Sequence, residues 1–184
     1  MKNICILLVL CVCTVSAVAQ KKPKLKGNKI VTDVFNTLGE FNAIEISDNL
    51  KVNVLQAANN GYHLITDENL VSDINIHVVD SVLKIYTNSN ITRKKKLEIN
   101  LTINKIDKIT LKDDAKLVCD NKIIADNFTF AAFDNSSFNL DLNAESSYFR
   151  VVKSVSGEIL LTGSKAIMMF DENAFMKGNV VLNE

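Results

Sequence analysis

Cysteine is scarce in this chain, and where it occurs removes a whole class of proteins. Four cysteines stand among 184 residues. Three of them, Cys5, Cys11 and Cys13, fall in an apolar run at the N-terminus. If that run is removed, Cys119 is left without a partner, which excludes a disulfide-stapled scaffold. Histidine is equally sparse: His63 and His77 have no cysteine partners at zinc-site spacing. Only six glycines occur, and none forms a phosphate-cradling loop or a nucleophile elbow. No charge of one sign dominates, because 21 Lys and Arg face 21 Asp and Glu. A domain-wide positive field is therefore missing, and nucleic acid is not an expected partner. Apolar runs long enough to cross a bilayer, about 20 residues, are also absent.

What is present begins with an export signal. Lys2 supplies the positive end, Ile4 to Val15 the apolar stretch, and Ala17-Val18-Ala19 the small-residue cleavage site. Residues 1–19 read as a signal peptide, with cleavage before Gln20. Residues 20–37 read as a basic linker around Lys21, Lys22, Lys24, Lys26 and Lys29, and 38–184 as a single domain. Losing Lys2 takes the basic count from 21 to 20 against 21 acidic residues, a net charge of −1. The expected location is the periplasm, the outer-membrane surface or the extracellular space, with no transmembrane helix.

Within 38–184 the dominant signal is alternation with period two, the mark of strands. It runs through Phe41/Ile44/Ile46, Leu50/Val52/Val54, Tyr62/Leu64, Ile74/Ile76/Val78, Val82/Leu83/Ile85 and Leu97/Ile99/Leu101/Ile103. One helical turn fits between Asp67 and Ser72. From about residue 105 a second regularity of 21 residues sets in. Phe128, Phe149 and Phe170 share one frame position; Leu117, Phe138, Ile159 and Val180 share another; Cys119, Leu140, Leu161 and Leu182 a third. Small or turn-forming residues precede them at Asp113-Asp114-Ala115, Asp134-Asn135-Ser136, Val155-Ser156-Gly157 and Met176-Lys177-Gly178. A fixed period of this length predicts stacked repeats that bury each other's apolar faces. The expected fold is an all-β, right-handed parallel β-helix with coils of about 21 residues.

The segments Phe41-Asn-Ala-Ile44-Glu-Ile46, Leu50-Lys-Val52-Asn-Val54-Leu-Gln56, Asp67-Glu68-Asn69-Leu70, Val82-Leu83-Lys-Ile85, Leu97-Glu-Ile99 and Ile106-Asp-Lys-Ile109 carry a resemblance. Together they resemble the head GIN domain family of auto-transporter adhesins, a domain of unknown function (DUF2807) abundant in Bacteroidetes-type bacteria. The resemblance covers roughly 38–184. It implies a parallel β-helix similar in shape to pectin-lyase solenoids but without their catalytic residues, and a role in cell adhesion. It supplies no catalytic or ligand-binding residues to carry over.

Candidate chemistry is thin. Asp113 and Asp134, like Asp120 and Asp141, would lie about 5 Å apart on neighbouring repeats. That spacing suits a retaining glycosidase or a calcium site. Aspartate is also among the commonest turn residues for backbone reasons alone, and that reading is preferred. Cys119, sharing a frame with leucines, reads as a buried thiol of raised pKa. The residues expected to bind are outward strand positions Thr129, Arg150 and Asp171, with turn residues Asp134, Asn135, Ser136 and Ser137. No catalytic residue, metal or cofactor is expected. The sequence thus describes an exported, non-enzymatic adhesion or binding module whose partner is an extended glycan or a surface protein. The alternatives are a carbohydrate-active enzyme, or an envelope protein forming homo-oligomers through an uncapped last repeat near Glu184.

Overall fold

The computed structural model describes residues 21–171 and 173–183. The expected signal peptide and its expected cleavage point lie outside them. Among the described residues there are fifteen strands and one turn of 3-10 helix. In order they are β1 (Lys24–Lys26), β2 (Val31–Thr37), β3 (Ala43–Ile46), β4 (Lys51–Gln56) and β5 (Gly61–Asp67), then the 3-10 turn (Glu68–Leu70). There follow β6 (Ile74–Val79), β7 (Val82–Thr87), β8 (Asn90–Arg93), β9 (Leu97–Ile103), β10 (Lys108–Leu111) and β11 (Lys116–Cys119). The last four are β12 (Ile123–Ala132), β13 (Ser137–Val152), β14 (Ser156–Asp171) and β15 (Phe175–Leu182). Each forms where alternation is cleanest. In β4, Val52 and Val54 are buried while Lys51 and Leu55 are exposed, so the period of two places one face inside.

Thirteen of the described strands form one curled sheet. Its path runs β2-β5-β9-β4-β11-β13-β12-β10-β3-β7-β6, with β14 and β15 added beyond β13, while β1 and β8 pair separately. The curl comes from β13, sixteen residues long. Its start pairs with β11, Lys116 opposite Ser137, and its remainder with β12, Ile123 opposite Leu142. One strand thereby joins two arms, and the inward side chains of both arms meet in a single core. Phe130 lies at its centre, 4.5 Å from Phe138 and 5.9 Å from Phe149 between ring centroids.

This is a curled, open half-barrel of mixed strands, and the expected parallel β-helix is not the fold. Three pairings are antiparallel: β2 with β5, β5 with β9, and β6 with β7. The 21-residue register also fails after its first step. Lys108 faces Thr129 and Lys116 faces Ser137, both 21 apart. Phe149, however, faces Phe130 and Met168, at intervals of 19. The cause is a displaced turn. Positive φ marks Asp113-Asp114 and Asp134-Asn135, as expected, but next marks Lys153-Ser154. Val155-Ser156-Gly157 leads into β14, and Met176-Lys177-Gly178 lies within β15. Leu140 consequently faces Ile159, and Leu161 faces Leu142.

The stretch before residue 38 contains β1 and β2, the latter an outer strand of the sheet. It is tied down by Asp67, which is fully buried at the end of β5. The Asp67 carboxylate accepts backbone N–H groups of Lys29, Lys95 and Lys96 at 3.0–3.1 Å. Burial alone would push its pKa up, but these donors outweigh that and hold it below the usual carboxylate range. The basic run Arg93 to Lys96 thus bridges β8 and β9 by backbone contacts to a buried acid.

Candidate functional site

The outward face of the sheet is where a partner can be met. Because successive strands pair in register, outward residues form columns that cross the strands. Lys51, Lys116, Ser137, Ser156 and Phe175 make one column. Asn53, Val118, Asn139, Glu158 and Lys177 make the next. Strand spacing of about 4.8 Å carries each column across five strands, on the order of 20 Å.

Between these columns the surface is hollowed. One depression of about 370 Å³ is lined by Lys51, Lys116, Ser137, Ser156, Phe175 and others. A second, of about 340 Å³, adds Leu160 and Asn179. They share Asn139, Glu158 and Lys177 and so form one trough. Gly157 underlies it: a Cβ there would run into the ring of Phe138, so the packing beneath demands a residue without a side chain. Phe175 is 61 % exposed, an aromatic face open to solvent at one end. At the other end basic groups crowd together. Burial, and then the charge of Lys116, holds the Lys94 ammonium below its ordinary pKa. Three lysines and one glutamate line the trough, 3 − 1 = +2, and that glutamate is paired, Lys177 to Glu158 at 2.5 Å. Hydroxyl, amide and ammonium groups beside one aromatic ring can hold a hydroxylated, acidic chain.

The expected binding residues do not assemble in one place. Ser137 opens β13 and lines the trough. Asp134 and Asn135 form the adjoining corner turn, where Asp134 pairs with Lys153 at 3.1 Å and the Asn135 N–H donates to the Lys153 carbonyl. Ser136 points inward, fully buried, its hydroxyl donating to the Phe133 carbonyl. Thr129 and Arg150 lie on the other arm, Thr129 between Lys108 and Tyr148, Arg150 with its guanidinium 5.7 Å from the Phe133 ring. Asp171 sits at the end of β14 opposite Val152, so the frame linking it to Arg150 and Thr129 is not the one that pairs the strands. Lys51, Lys116, Asn139, Glu158 and Phe175 went unnoticed because only the register shows they are neighbours.

The acidic corners are accounted for locally. Asp48, Asp113 and Asp134 each lie two residues beyond the in-register Ile46–Leu111–Ala132 pairing, at the corners where φ turns positive. Lys22 neutralises Asp48, which also accepts the Thr87 N–H and hydroxyl. Among the described residues no group of three or more His, Cys, Asp or Glu could hold a metal. Cys119 is half-buried; burial, with the carboxylates of Asp120 and Asp141 nearby, pushes its thiol up to about 12. His63 stacks on the exposed ring of Phe35 at 3.9 Å and reaches Asp33 at 2.8 Å. Among the described residues no helix is long and apolar enough to cross a membrane.

The fold is thus an all-β curled sheet whose outer face is broad and hollowed. Residues 40–173 match the family described as "Putative auto-transporter adhesin, head GIN domain", and the chain belongs to that family. Its fold is shared by solved structures of distant sequence. One is described as a "putative adhesin" from Parabacteroides merdae: 14 % identical, TM-score 0.57, covering 88 % of this chain and 100 % of that one. Another, from Parabacteroides distasonis, is 19 % identical with TM-score 0.58, covering 85 % of this chain and 69 % of that one. A third, from Bacteroides fragilis, is 13 % identical with TM-score 0.57, covering 86 % and 98 %. At these identities the likeness is one of fold. No curated protein sequence matches the chain.

Proposed function

We propose that this protein is an exported, non-enzymatic adhesion module that grips an extended acidic glycan in the trough across β11, β13, β14 and β15. The observation that carries the reading is the continuity of the trough: two depressions sharing Asn139, Glu158 and Lys177. Such a groove is longer than a monosaccharide and too shallow to enclose one. Family membership supports adhesion, and adhesins are non-enzymatic in kind. Export is supported by the same membership and by the leader-like first nineteen residues. The net charge of the trough favours carboxylates or sulfates over neutral sugars, an attraction that salt screens.

Surface plasmon resonance with immobilised polygalacturonate, and dextran as the neutral control, tests this. Binding to the acidic polymer alone, weakening with salt, is the expected result. Lys116→Glu should weaken it by about tenfold, about 1.4 kcal/mol, and Phe175→Ala by a smaller factor, both with an unchanged circular dichroism spectrum. Equal binding to both polymers, or none to either, would remove the acidic-glycan reading.

A further inference from the structure

A further recess lies at the corners that lead into β4 and β11. Its volume is about 370 Å³, and it shares no lining residue with the trough. Its walls come from the segments 21–22, 48–50, 87–91, 94–97 and 113–114. Lys22 fastens two of them together: its ammonium donates to the Asp48 carboxylate at 2.6 Å and to the Thr87 carbonyl at 2.7 Å. The apolar part of the lining is Leu50, which is buried, with half-buried Ile91 and Leu97.

The rest of the lining is polar and carries both signs of charge. Lys21, Lys22 and Lys94 stand against Asp48, Asp113 and Asp114, 3 − 3 = 0. Lys22 and Asp48 satisfy each other. Lys94 has no carboxylate partner among the described residues. Burial, and after it the charge of Lys116, keeps that ammonium below its ordinary pKa, so no neighbouring acid offsets it. The two remaining aspartates are equally free. A turn aspartate commonly spends its carboxylate on a nearby backbone N–H, as Asp48 does with Thr87 at 2.8 Å. Among the described residues, the carboxylates of Asp113 and Asp114 accept no hydrogen bond and enter no ion pair. Their corner is held by backbone instead, the Asp114 N–H donating to the Asp134 carbonyl at 3.0 Å.

We infer that this recess binds a small zwitterion of the α-amino acid class, free or as a dipeptide. Its carboxylate would pair with Lys94, its ammonium with Asp113 and Asp114, and its aliphatic side chain would lie against Ile91 and Leu97. Charge complementarity selects this ligand. A purely anionic molecule meets two unpaired aspartates, and a purely cationic one meets an unpaired lysine crowded by Lys116. An uncharged one answers neither sign, whereas a zwitterion answers both. The size agrees, because ligand pockets run from about 300 to 1,000 Å³ and this one lies at the small end. The site does not depend on what the trough holds.

An amide-resolved NMR titration with leucine and with alanyl-leucine reads the result. Saturable shifts concentrated at residues 48–50, 90–97 and 113–114 are expected. N-acetylleucine lacks the ammonium and leucinamide lacks the carboxylate, so each should bind about tenfold more weakly. Lys94→Gln should erase the preference for leucine over leucinamide. Asp113→Asn combined with Asp114→Asn should erase the preference over N-acetylleucine. Both aspartates have left-handed backbone, φ 53° and 63°, which asparagine also tolerates. A response to only one of the two zwitterions supports the site and shows whether the free amino acid or the dipeptide fits it. No saturable shift with either at millimolar concentration overturns the proposal. So do blocked forms that bind as well as leucine, and so do preferences that survive in the variants.

Discussion

Phe149 and Phe170 occupy the same place in the 21-residue frame, yet one is fully buried and the other 48 % exposed. Phe149 lies mid-sheet, between Phe130 on one strand and Met168 on the next. Phe170 lies beyond the part of β14 that β15 covers, with Val151 on one side and, among the described residues, no strand on the other. The difference teaches that burial here is conferred by neighbours in the stack. An identical side chain with an identical local pattern stabilises the fold only when a strand lies on each side.

The sharpest way to break that comparison is to truncate both rings. Phe149→Ala should cost about 3–5 kcal/mol, lowering Tm by about 10 °C, whereas Phe170→Ala should cost less than about 1 kcal/mol. Equal losses in thermal or denaturant unfolding would restore the 21-residue frame. A smaller effect is expected at Gly157. Gly157→Ala would press a methyl group into the Phe138 ring and should cost about 1–3 kcal/mol. The same change at Gly39, with no atom within 4 Å of the added carbon, should be nearly silent. The least effect on stability, but a clear one on chemistry, comes from thiols. With its pKa at about 12, Cys119 should hold about one part in 10⁴ as thiolate at pH 8 and label with a disulfide reagent only slowly. A cysteine placed at exposed position 181 by Val181→Cys, in a Cys119→Ser background, should label within minutes at the same pH. Comparable rates would show that the middle layers open as readily as the end.

Much of the first half was legible. The alternating segments from Phe41 to Ile103 are the strands β3, β4, β5, β6, β7 and β9, and the helical turn between Asp67 and Ser72 is the 3-10 turn at Glu68–Leu70. Alternation reports which side of a strand is buried, and it does so whatever the neighbour's direction. For that reason the antiparallel course of β5 and β6 could not be read from it. In the second half, Asp113-Asp114 and Asp134-Asn135 carry ordinary turn chemistry and were found. Lys153-Ser154 does not look like a turn, and the small residues at 155–157 look like one. A two-residue error at that corner changed every partner of β14. The trough followed suit: Ser137 was named, while Lys116 and Phe175 join it only through register.

The order of apolar and polar residues, taken alone, determined that this chain is all-β, which side of most strands is buried, and that burial raises the pKa of Cys119. Those properties depend on a residue and its immediate neighbours along the chain. Partner choice, register, the curl imposed by β13 and the open layer at β15 were decided by tertiary structure. They depend on where corners fall and on hydrogen bonds between residues 19, 21 or more positions apart, and local pattern carries no record of those separations.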